Sequence, residues 1–115
     1  MKRFAIGAAL LLAVGTMQEA GAAWVSGNDL ARNCSTSQNY FSYGSCAGYV
    51  MGVADMMAQP EWPYPTKACF PNEVERGQLV ALVKKYLAKH LEQLHDAALA
   101  IGALALAQAF PCPIR

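Results

Sequence analysis

The sequence predicts an all-α fold: a small four-helix bundle, stabilised by two disulfides and preceded by an N-terminal signal peptide. Three observations lead there. No stretch of the chain alternates apolar and polar residues over a strand's length, whereas apolar residues recur at helical spacing from Val74 to Leu87. The first residues have the layout of an export signal. All four cysteines follow that signal, and an even count in a small exported domain reads as a pair of bridges.

The chain opens MKRFAIGAALLLAVGTMQEAGAAW. Lys2 and Arg3 give a positive start, Phe4 to Val14 is apolar, and Ala20, Gly21, Ala22 and Ala23 are small residues suited to cleavage. The apolar run is shorter than the roughly 20 residues that span a bilayer, so residues 1–23 read as a cleaved signal peptide rather than an anchor. Residues 24–115 form one domain with no further membrane insertion. The whole chain has nine basic and eight acidic residues. Removing Lys2, Arg3 and Glu19 leaves seven of each, which argues against nucleic acid or an anionic membrane as partner.

In the exported part, "SGNDLARNC" starts a short first helix, capped by Ser26 or Asn28 with Leu30 inward. "STSQNYFSYGS" is rich in turn formers and reads as a loop. The second helix is expected from about Ser45 to Ala58, and Pro60, Pro63 and Pro65 forbid regular structure after it. The third helix is expected to take Asn72 as N-cap, with Glu75 completing a capping box. Val74, Leu79, Leu82, Val83, Tyr86 and Leu87 form its apolar face, and Lys84, Lys85 and Lys89 point to water. "AALAIGALALAQAF", residues 97–110, is apolar nearly all round and is expected as the central helix or at a subunit interface.

The second helix carries Gly48 and Gly52 one turn apart, with Tyr49 and Asp55. Each glycine costs a helix roughly 0.5–1 kcal/mol relative to alanine. A close approach by another helix would offset that cost, so these four residues read as a packing motif, with Asp55 satisfied by neighbouring backbone.

No catalytic constellation stands out. His90 and His95, five residues apart, fall on different helix faces and make a poor catalytic or metal pair. The cysteines Cys34, Cys46, Cys69 and Cys112 lack the tight C-x2-C spacing of a zinc or redox site. There is no phosphate-binding glycine loop. The chain therefore reads as a binding protein without cofactor, not an enzyme. In "PEWPYP", Trp62 and Tyr64 sit on a proline-stiffened loop. They suit a rigid interface anchor, unless Trp62 folds back onto the bundle. The turn at His90, Glu92 and Gln93 is the second candidate.

The ordered segments "SGNDLARNC", "CAGYVMGVAD", "CFPNEVERGQLVALVKKYLAKH" and "ALALAQAFPC" resemble the Rap/Tai family of immunity proteins from bacterial type VI secretion. The likeness runs from Ser26 to Cys112, and Gly48, Tyr49, Gly52 and Asp55 match the family's second-helix marker. One departure is His90-Leu91-Glu92, where relatives usually carry His-Pro-Glu; without the proline, the third helix has no obligatory stop. The resemblance implies a periplasmic, often homodimeric protein that occludes the active site of a secreted peptidoglycan amidase. The rival from composition is a periplasmic acid-stress chaperone, for which seven carboxylates and two histidines are a meagre titrating supply. In an up-and-down bundle, Cys34 would meet Cys46 and Cys69 would meet Cys112. Four cysteines allow three pairings, and the proline loop could instead carry Cys69 toward Cys46.

Overall fold

The computed structural model describes residues 23–35 and 39–114. The predicted signal peptide lies outside the described residues except for Ala23. Four helices follow: α1 (Gly27–Ser35), α2 (Tyr40–Met57), α3 (Arg76–Lys89) and α4 (Ala98–Ala109), with a 3₁₀ turn at Leu91–Gln93. Among the described residues there is no strand, only an isolated antiparallel bridge between Ser26 and Ala97. Each helix packs against the other three.

Ser26 caps α1 as its sequence position suggests. Its hydroxyl accepts from the Asp29 amide at 3.1 Å, and the Asp29 carboxylate accepts from the Ser26 amide at 3.0 Å. The next two amides find acceptors far along the chain. Gly27 donates to the Asp96 carbonyl and Asn28 to the Leu94 carbonyl, both at 2.8 Å. The first turn of α1 is thereby seated on the 94–96 turn with these donors satisfied.

Two helix starts differ from the sequence reading. α2 begins at Tyr40, earlier than the expected Ser45, because Asn39 accepts from the amides of Phe41 (3.0 Å) and Ser42 (3.2 Å). The turn-forming composition of this stretch hid a good cap followed by residues that a helix tolerates. α3 begins at Arg76, with Glu75 and not Asn72 as its cap. The Gln78 side chain accepts from the Glu75 amide at 2.7 Å. Pro71 to Val74 instead close a separate turn, with the Val74 amide donating to the Pro71 carbonyl.

α3 stops at Lys89 although residue 91 is leucine. The backbone amide of His90 donates to the Tyr86 carbonyl at 3.0 Å, and His90 Nδ1 lies 2.9 Å from the same oxygen. A carbonyl only accepts, so this nitrogen carries the proton. The imidazole stacks on the Tyr86 ring at 3.8 Å, and the Tyr86 hydroxyl donates to Gln93 Oε1 at 3.0 Å. These contacts hold the break without the proline that the resemblance leads one to expect at residue 91.

The core runs through all four helices: Leu30 and Cys34 from α1, Val50 and Val53 from α2, Val83 and Leu87 from α3, Ile101 and Leu106 from α4. Disulfides join Cys34 to Cys46 and Cys69 to Cys112, and no cysteine is free. The first bridge links the end of α1 to α2 inside the core. The second ties the segment before α3 to the end of α4, where the Cys69 amide also donates to the Phe110 carbonyl at 2.8 Å.

Candidate functional site

α4 is less enclosed than its sequence suggests. Ala98, Ile101, Ala103, Ala105 and Leu106 are buried, but Leu99 and Leu104 emerge on an outer face. The proline-rich segment after α2 runs alongside that face. Trp62 turns inward and is only 5% exposed. Its indole nitrogen donates to the Thr66 carbonyl at 2.8 Å and its amide donates to the Gln59 carbonyl at 3.1 Å. Tyr64 meets the Trp62 ring edge-on at 4.9 Å and stays 51% exposed.

Trp62, Tyr64, Ala97, Leu99, Ala103 and Leu104 line an open groove of about 370 Å³. That is the size of a small ligand or side-chain cluster. No ionisable carboxylate, amine or imidazole lines it. The groove can take apolar side chains, and the side-chain hydroxyls that line it are those of Tyr64 and Thr66.

This corrects one expectation and divides another. Trp62 is a wall of the groove fixed to the core, not an anchor that projects into a partner; three prolines and the Thr66 hydrogen bond turn it inward. Tyr64 alone of the pair presents its ring outward. Of the three candidates at the second turn, His90 and Gln93 are half-buried and engaged with Tyr86, and Glu92 is exposed. His90 and Gln93 thus shape the turn.

The glycine motif of α2 is also corrected within this chain. Gly48, Gly52 and Asp55 lie on the exposed side of α2, and a Cβ built at either glycine meets nothing within 4 Å. Among the described residues no helix approaches there, because α2 buries the opposite stripe, Cys46, Val50, Val53, Ala54 and Met57. Tyr49 is half-buried, and desolvation raises its hydroxyl pKa above the ordinary value.

The close approach occurs instead at Gly27. A Cβ there would lie 2.8 Å from the Leu94 carbonyl oxygen and 2.9 Å from Leu94 Cα, and would run into Ile101 Cδ1. The sequence signal was present but small: a glycine at the first position of a helix, just inside a Ser-x-x-Asp cap.

Around α1, hydrogen bonds from the Ser26 amide and hydroxyl, aided by the nearby Arg32 guanidinium, hold Asp29 below the usual carboxylate range. Among the described residues, no three of His, Cys, Asp or Glu cluster as metal ligands. Nor is any helix among them long and apolar enough to cross a membrane. The family model for Rap1a immunity proteins matches residues 26–112. Among curated proteins none matches the chain.

Proposed function

This chain belongs to the family of Rap1a immunity proteins, and from that membership we propose that it binds a secreted peptidoglycan amidase and blocks its active site. The toxin is one delivered by type VI secretion, and the meeting place is the periplasm. The family match over most of the chain is the observation that carries this reading. The two disulfides and the apolar start of the sequence support an oxidising, exported setting. The groove between the proline segment and α4 supports recognition by contact, since its walls are mostly apolar and carry no charged side chain.

Tyr64, Leu99 and Leu104 supply the outward aromatic and aliphatic surface that an interface core uses. Titration with a purified peptidoglycan amidase of type VI secretion, taken from the coding region next to this chain where one is found, read by calorimetry and by cross-link hydrolysis, tests the proposal. Wild type should bind with loss of amidase activity. Tyr64→Ala with Leu104→Asp should weaken binding at least about thirtyfold, the equivalent of 2 kcal/mol. Both side chains are exposed enough for the variant to stay folded. Undiminished inhibition by the folded variant would move the interface away from the groove. No binding by wild type would remove the immunity reading.

A further inference from the structure

The two disulfides occupy opposite environments. Cys34 is 2% and Cys46 0% exposed, within the core between α1 and α2. Cys69 is exposed and Cys112 half-buried, at the surface where the proline segment meets the end of α4. Thiol–disulfide exchange requires an attacking thiolate to reach one sulfur. Only the second bridge offers that access without opening the core.

We propose that Cys69–Cys112 is an exchange site for a dithiol reductant and acts as a releasable clasp on the segment that forms the groove. One thiolate of the dithiol attacks a sulfur of the bridge. A mixed disulfide forms, and the other cysteine leaves as thiolate and takes a proton. The second thiol of the dithiol then displaces the remaining cysteine, which is protonated in turn. Two electrons and two protons pass to Cys69 and Cys112, and the reductant ends as a disulfide.

The neighbourhood limits what opens. After reduction, the Cys69 amide still reaches the Phe110 carbonyl, and the Phe70 and Phe110 rings still meet at 5.4 Å. The helices keep the Cys34–Cys46 staple. What is lost is the covalent tie at the C-terminal end of the segment carrying Trp62 and Tyr64. The far end of that wall is then held only by the Cys69–Phe110 hydrogen bond and the ring contact, and the wall loosens while the bundle persists. The effect on toxin binding rests on the function proposed above, whereas the exchange site itself does not.

The intact chain is treated with graded dithiothreitol, quenched with iodoacetamide and mapped by peptide mass spectrometry, with helical circular dichroism followed in parallel. Cys69 and Cys112 should alkylate at least tenfold faster than Cys34 and Cys46, with helicity retained. Equal rates accompanied by loss of helicity, or earlier opening of Cys34–Cys46, would overturn the exchange site. In a Trp24→Phe background Trp62 is the sole tryptophan. Its emission should shift to the red on selective reduction, and likewise in the Cys69→Ser/Cys112→Ser variant. Amidase affinity should fall at least tenfold with it. An unshifted Trp62 and unchanged affinity in a selectively reduced chain would overturn the clasp. If the oxidised chain fails to bind the amidase, the immunity reading falls, and the alkylation and emission results still decide the clasp.

Discussion

A single methyl group does more harm at Gly27 than at any other described glycine, because the atoms it would meet include backbone. Leu94 cannot move without disturbing the carbonyl that receives the Asn28 amide. Gly27→Ala should lower stability by about 1–3 kcal/mol through overpacking, read as a fall in melting temperature. Gly52 gives the opposite sign. With open space around it, Gly52→Ala should raise stability by about 0.5–1 kcal/mol through helix propensity alone. A fall would show that the exposed stripe packs against something in solution. Asp29 adds a dependence on acid. Its pKa is lowered in the fold, so its contribution is present above the ordinary carboxylate pKa and is lost as the pH falls through the folded value. Asp29→Asn should therefore lower stability near neutrality and narrow the gap to wild type in acid, by denaturant titration at several pH values.

The α3–α4 connection shows how two chemistries reach one geometry. His90, stacked on Tyr86 and sharing its carbonyl, ends α3 where a proline would have done so by sterics. Leu91 is exposed, and its amide makes no hydrogen bond outside the helical turns, so Leu91→Pro should change the melting temperature little. Tyr86→Phe with His90→Ala removes the stack and the Gln93 bond, and should lower it clearly. The pattern explains what was legible in the sequence. Helix identity followed from apolar runs bounded by caps and prolines, and in α3 from apolar spacing, so all four helices were readable. Boundaries and sites depended on single hydrogen bonds. Asn39 outbid a turn-rich context, Glu75 displaced Asn72, and Trp62 turned inward through a bond to the Thr66 carbonyl, a contact no local pattern encodes. The Gly48/Gly52 spacing predicted a close approach by another helix, and spacing carries no information on which side the neighbours lie.

For the whole molecule, the bridge between Ser26 and Ala97 ties the first described residues to the last helix. The Ala98 amide donates to the Val25 carbonyl at 2.9 Å, and the amides of Gly27 and Asn28 bond to the 94–96 turn. A chain beginning at Trp24 should melt like the full-length protein. One beginning at Gly27 loses the Ser26 cap and the bridge together, and should be less stable by about 1–2 kcal/mol. The closed-loop lengths give the two disulfides unequal weight. With sequence separations of 12 and 43, loop entropy assigns about 3 kcal/mol to Cys34–Cys46 and about 4 kcal/mol to Cys69–Cys112.

Both bridges also join cysteines that are consecutive in the chain. A polypeptide threaded across a membrane from its N-terminus delivers Cys34 and Cys46 first, then Cys69, then Cys112. An oxidase that couples thiols in order of emergence makes the native pairs without error. If the chain is exported as proposed above, its recovery should depend on such an oxidase and be indifferent to loss of a disulfide isomerase, as yields from strains lacking each would show. On that route the interval before Cys112 arrives is the vulnerable one: Cys69 waits alone as a thiol, and α1 waits for the turn at 94–96 that seats its first amides.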